Sequence, residues 1–331
     1  MNWELILQWA FLISLLNAGI RLAVPILIAV LGEIITESSG VTNLGLEGIM
    51  SIGAVTGFMT AFYFKTHPLI PQGSEWSTWI GLAAGMLAGM LMGLIMAALS
   101  VTLRADQIIS GITLVVFGVG LSNYLYRQAF STLSERVMGL KPLEIPLLSK
   151  IPVVGDVLFK QVPTVYMAGL LVLIVWYFLF KTTWGLKIRS VGENPAAAET
   201  SGISVERTRY AAIILGSGLV GLAGAVLTVV QLTLFREGIV AGKGWIAVAL
   251  VIFARWRYPG RALLGSLLFG LADSLQYRIQ ALSQVDRGAQ TVPYEFLLML
   301  PYVLTILVLL KRAKGNEEPA ALGKAYVKGE R

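Results

Sequence analysis

The chain of 331 residues has no cysteine, a single histidine (His67) and few charges. Without cysteine there is no disulfide framework and no thiolate chemistry, and one histidine cannot build a typical histidine-based metal site. No metal ligand set, redox centre or zinc enzymology is therefore expected. Charged residues make up only 14%, where an ordinary soluble domain carries about 25%. Asp, Glu, Lys and Arg are missing altogether from the runs 48–64, 78–103, 107–126, 161–180, 210–235 and 296–310. Because about 20 apolar residues cross the hydrocarbon layer, these runs read as membrane spans. Three further stretches are shorter or interrupted: 5–35, which contains Arg21 and Glu33, then 244–254, and 262–277, which contains Asp273. About nine hydrophobic segments result, the first reading as one span or two. Arg21 and Asp273 either pair or sit near interfaces.

The start, MNWELILQWAFLISLL, lacks a basic n-region and a small-residue cleavage site, so it reads as mature sequence. The net charge of +7 follows membrane topology. Fifteen Lys and Arg fall on the side of Arg104, residues 181–209, the RWRYPGR turn at 255–261 and the tail, against ten on the other. The positive-inside rule places the fifteen in the cytoplasm. The tail, residues 313–331, is polar with charges of both signs and is expected to be a mobile extension of a transmembrane domain over 1–312.

Gly81, Gly85, Gly89 and Gly93 recur every fourth residue, as do Ser217, Gly221 and Ala225. Such spacing lines a helix face with a groove for close packing. Residues 128–163 hold Pro142, Pro146, Pro152 and Pro163, a density that rules out a continuous span. Short helices and extended pieces on the outer face are expected, as a membrane-hugging connector or as a docking surface for an external protein.

Two polar stretches carry chemistry. In 187–210, KIRSVGENPAAAETSGISVERTRY, Asn194 suits an N-cap and Pro195 the first helical position. Ala196, Ala197 and Ala198 propagate the helix, and Gly202 suits the left-handed residue past its end. A helix of about seven residues is too short to hold alone in water. It lies on headgroups or, since it has few large apolar residues, on a partner protein. In 31–50, LGEIITESSGVTNLGLEGIM, the residues Glu33, Glu37, Asn43 and Glu47 mix with glycines. Carboxylates beside the bilayer face a protein interior or a water-filled cavity, and the glycines allow a broken helix there. The alternative is an interfacial loop with its carboxylates in water. A smaller cluster, FREGIVAGKGW at 235–245, precedes a short apolar run that suggests a helix broken within the protein.

Three blocks in order, GEIITESSGVTNLGLEGIMSIGA at 32–54, GENPAAAETSGI at 192–203 and AGKGWIAVALVIFARWRYPGRALLGSLLFGLADSLQ at 241–276, carry a family resemblance. The sequence resembles the permease subunits of bacterial ABC importers in the branched-chain amino acid and simple-sugar permease superfamily, nearest the nucleoside and simple-sugar permeases. The likeness covers about residues 15–312. It implies an all-α, polytopic transmembrane helix bundle of about 8–10 spans in the plasma membrane, with broken helices and a cytoplasmic coupling helix. Gly192, Glu193, Asn194, Pro195, Ala196, Ala197, Ala198, Glu199, Gly202 and Ile203 then form the coupling segment for a separate ABC ATP-binding subunit. That subunit would bind ATP and Mg, since this chain has no G-x-x-x-x-G-K-[ST] phosphate loop. An external substrate-binding lipoprotein and a second permease chain are implied, related but different in nucleoside-type systems, with a homodimer left open.

For the solute path the candidates are Asn43, as a hydrogen-bonding group, Glu47, and the 235–245 cluster, in which Phe235 or Trp245 could stack on a base or sugar beside Glu237. No catalytic residue is expected. An ion-coupled transporter would need charged groups mid-span, which most of these spans lack, and a membrane enzyme would need a converging cluster of His, Asp, Glu or Cys.

Overall fold

The first hydrophobic region forms one continuous helix, α1 (Trp9–Glu37), with Pro25 inside it. The structure, a computed structural model, describes residues 9–67, 71, 74–130, 135–146, 148–285, 296, 299–310 and 318–327. The two charges that interrupt α1 in the sequence each find a hydrogen-bond partner, although the buried Glu33 Oε2 has none. Arg21 donates from Nε to Gln161 Oε1 at 2.8 Å, and Glu33 Oε1 accepts the Asn43 amide N–H at 3.1 Å. Arg21 thus bonds the outer segment rather than Asp273. One span replaces the choice of one or two.

The chain continues through α2 (Leu46–Thr66), α3 (Trp76–Ala97, prolonged by a π-helical turn over Ala98–Thr102) and α4 (Gln107–Ala129). The proline-rich stretch then forms the short pieces its composition suggests. Strand β1 (Leu143–Glu144) pairs antiparallel with β2 (Lys160–Gln161), and between them lie a 3-10 turn (Leu148–Lys150) and α5 (Val154–Leu158). After α6 (Pro163–Lys181) come α7 (Thr183–Glu193), α8 (Pro195–Thr200) and α9 (Val205–Ala225, ending in a π-helical turn over Val226–Gln231). The remaining hydrophobic stretches form α10 (Lys243–Phe253), α11 (Pro259–Val285) and α12 (Leu300–Leu310). Among the described residues, six helices, α1, α2, α3, α4, α6 and α9, are long and apolar enough to cross a membrane. The protein is an all-α polytopic bundle.

Asn17 and Arg21, toward the start of α1, bond residues 156–161, while Ser38, just past its end, donates to the Trp256 carbonyl. α1 therefore runs from the proline-rich face to the face carrying the RWRYPGR turn. Helix α9 is the centre of the bundle, packed on α1, α2 and α3. The two small-residue stripes mesh there. A Cβ on Gly53 of α2 would lie 2.1 Å from the Gly221 carbonyl oxygen, one on Gly89 of α3 2.4 Å from the Ser217 oxygen, and one on Gly221 2.4 Å from the Gly85 oxygen. Three helix backbones approach so closely that hydrogen is the only side chain with room, which is the packing role expected of the stripes. Gly53→Val should lower stability by about 1–3 kcal/mol through overpacking. Melting of the purified protein in detergent checks this, and an unchanged Tm would show that the junction yields.

The tail departs from its expectation. Its described part, residues 318–327, is docked rather than free: the Ala321 N–H donates to the Gly192 carbonyl at 2.9 Å and the Gly323 N–H to the Gly40 carbonyl at 3.2 Å. Mixed charge signals solvation, but the small residues of PAALG let this stretch lie against backbone, and Gly323 takes the left-handed conformation (φ +73) that the turn requires.

Candidate functional site

Helix α8 is built by local chemistry. Asn194 Oδ1 accepts the Ala197 N–H at 3.0 Å, and Pro195 occupies the first turn, where its missing N–H costs nothing. The end is a Schellman motif: with Gly202 left-handed (φ +81), its N–H donates to the Glu199 carbonyl at 2.9 Å and the Ile203 N–H to the Ala198 carbonyl at 3.0 Å. The helix has six residues, against about seven expected. Ala198 is buried, whereas Ala196 and Ala197 face outward.

Ala198 does not join the main core. It sits in a separate small cluster with Val191 and Val205, against which Ile203 and Tyr326 pack. The hydroxyl of Tyr326 donates to Glu199 Oε2, a bond that pushes its pKa above the ordinary tyrosine value. Gly192 abuts the loop between α1 and α2, where a Cβ would lie 2.2 Å from the Ser38 oxygen. Glu193 is ion-paired with Arg257 of the arginine-rich turn. The segment is thus held at both ends, with its alanine face open between them.

The stretch 33–47 is buried, not an interfacial loop with carboxylates in water. Glu33 and Asn43 are 0% exposed, Glu37 4% and Glu47 9%. Asn43 Oδ1 accepts the Gly45 N–H at 2.9 Å, closing the turn into α2, and the Thr42 N–H donates to Gln107 Oε1 at 2.8 Å. Glu47 reaches across to α10. Its Oε1 accepts the Gly242 N–H and its Oε2 the Gly244 N–H, each at 2.8 Å. These are first-turn amides that α10 cannot satisfy itself, and a carboxylate also complements the positive end of the helix dipole.

Helix α10 has 11 residues, about 16 Å at 1.5 Å each, or half the hydrocarbon layer. The chain before α10 has positive φ at Thr233, Gly238, Ala241 and Gly242, and the first turn of α10 packs against the first turn of α2 through Glu47. Such a break is tolerable where protein or a cavity satisfies the backbone.

The remaining path candidates separate. Phe235 is 1% exposed and lies among rings, 4.7 Å from Tyr126 and 6.3 Å from Phe58 by centroid, so neither of its faces is free for stacking. Glu237 is exposed and paired with Arg127 by two 2.6 Å bonds, which hold its carboxyl below the usual range. Trp245 is 43% exposed. Of the five candidates, the structure brings Glu47 to the 242–245 segment, sets Asn43 in the turn four residues before Glu47, and places Phe235 and Glu237 beside the end of α4. Arg127, Gln107, Arg257 and Tyr326 were not foreseen. Each acts across more than 60 residues with no local pattern to mark it.

The sequence profile of the family described as the branched-chain amino acid transport system permease component matches residues 15–309. The chain belongs to that permease family. It is 39% identical to a putative glucose ABC transporter permease of Haloferax volcanii, over 96% of this chain and 98% of the relative. It is 36% identical to a nucleoside ABC transporter permease of Lactococcus lactis, over 92% and 93%, and 36% identical to a guanosine ABC transporter permease of Bacillus subtilis, over 93% and 95%. No solved structure matches the chain. This permease is a multi-pass plasma-membrane subunit of an ABC transporter, which works with an ATP-binding subunit and a substrate-binding protein and is not itself an enzyme.

Proposed function

We propose that this permease forms the translocation path for nucleosides, together with a second, related but different permease chain, and that residues 192–203 couple the path to ATP hydrolysis by the partner subunit. The observation that carries the coupling role is α8. It is a doubly capped helix of six residues whose Ala196 and Ala197 face outward, small enough to enter a groove. The nucleoside reading rests on the two 36% identical relatives named for nucleosides, each matched along nearly its whole length. The 39% identical relative named for glucose supports a second reading, a simple-sugar permease.

Within the path, Glu47 and Trp245 border the solute near the start of α10, and Asn43 and Phe235, both buried, hold the wall behind them. ATP hydrolysis changes the spacing of the two coupling segments and so alternates access to that space.

The test is uptake of labelled guanosine and labelled glucose into proteoliposomes that contain the whole complex. ATP-dependent guanosine uptake is expected. Glucose uptake alone would establish the second reading. Uptake without ATP that follows a Na⁺ or H⁺ gradient would sink the importer reading.

A further inference from the structure

The coupling helix has a seat of its own, and part of that seat comes from the far end of the chain. We infer that residues 318–327 form a strap that positions α8 and joins it mechanically to the loop between α1 and α2, so that motion of the coupling helix reaches the path. The inference rests on the coupling role proposed above.

Four contacts carry it. Tyr326 packs into the cluster of Val191, Ala198 and Val205, and its hydroxyl donates to Glu199 on α8. The Ala321 N–H donates to the Gly192 carbonyl at the start of the coupling segment. The Gly323 N–H donates to the Gly40 carbonyl in the α1–α2 loop, at 3.2 Å. The buried Arg209 of α9 donates from its guanidinium to the Lys324 carbonyl at 3.0 Å. The strap therefore touches α8, α9 and the α1–α2 loop within residues 321–326.

A helix of six residues buries one side chain of its own, Ala198, and such a helix is marginal without outside contacts. Pulled from the cytoplasm, it would fray unless anchored. The strap supplies the anchor on one side, and Gly192, whose Cα lies 3.3 Å from where a Gly40 Cβ would sit, supplies the joint to the loop that holds Asn43 and leads into Glu47 in the first turn of α2. Motion is transmitted through contacts that are packed and hydrogen-bonded, not through exposed chain.

The experiment uses the full complex, reconstituted with a chain ending at residue 317, with Tyr326→Phe, with Ala321→Pro, which removes the N–H bonded to Gly192, and with Lys324→Ala. Hydrogen exchange over residues 192–203 and uptake per ATP hydrolysed are both measured. In the truncated chain, the ATP-binding subunit should still co-purify and hydrolysis continue, while exchange over 192–203 rises and uptake per ATP falls, each by roughly tenfold. Tyr326→Phe and Ala321→Pro should show smaller changes of the same sign. Lys324→Ala should stay close to the unaltered protein, since Arg209 uses the backbone carbonyl and the side chain's own bond, from Nζ to the Ala320 carbonyl at 3.0 Å, is exposed and lies within the strap. Unchanged exchange in the truncated chain, unchanged uptake per ATP, or loss of the ATP-binding subunit from its complex would overturn the strap. Absence of ATP-driven uptake in the unaltered complex would instead sink the importer reading, because exchange is read on the permease itself.

Discussion

Replacing Ala197 with Arg should abolish ATP-driven uptake while leaving the permease inserted and folded. The side chain of Ala197 points outward from α8, and its backbone N–H is already held by Asn194 Oδ1 at 3.0 Å. Arginine is a good helix former, so the capped turn survives the change. What changes is the face proposed to enter the partner's groove, where a bulky cation would lose its water without a designed partner. An uncompensated buried charge costs about 3–5 kcal/mol, a loss of more than about 100-fold in the coupled complex. Ala197→Ser keeps the size and should transport within about twofold of the unaltered chain, because a surface exchange of small residues moves stability by about 0.5 kcal/mol or less. Size-exclusion profiles, co-purification and uptake separate the outcomes. Normal uptake in Ala197→Arg would refute the assignment of α8 as the coupling element.

That α8 is legible in the sequence has a physical cause. Both of its ends are set by contacts within three to five residues: Asn194 to Ala197, Gly202 to Glu199 and Ile203 to Ala198. The same holds for the glycine stripes, whose period alone marks a close-packed face, although only the structure pairs α3 with α9 and α2. What failed to show was long-range. Residues 318–327 look solvated because their composition is polar, yet their contacts are to backbone at Gly40 and Gly192, and carbonyls leave no trace in a sequence. Phe235 looks available for stacking because aromatic residues near a polar break often are, but Phe58 and Tyr126 cover it. Arg21 suggested a break in the first span only until Gln161, 140 residues away, supplied its partner.

Glu47→Gln should loosen the start of α10 and with it the proposed wall of the path. The Glu47 carboxylate accepts backbone amides at the start of α10, Gly242 on Oε1 and Gly244 on Oε2, both at 2.8 Å, with the Trp245 amide as a further partner. Glutamine keeps the shape and one acceptor, but its amide nitrogen then points a donor at a backbone donor. Leaving that buried N–H unpaired costs about 1–3 kcal/mol, and losing the negative charge at the helix N-terminus costs about 0.3–2 kcal/mol more. Nothing nearby replaces the lost acceptor by a small shift, because a Cβ on Gly244 would already lie 2.5 Å from the Glu47 nitrogen, so the two backbones have no slack. The expected result is a lower Tm in detergent together with reduced uptake, and faster hydrogen exchange confined to the first turn of α10. Glu47→Asp keeps both acceptors and the charge on a shorter arm and should fall between glutamine and the unaltered protein. If Glu47→Gln melts and transports like the unaltered chain, the carboxylate does not hold α10, and its place at the path would have to be argued from solute contact instead.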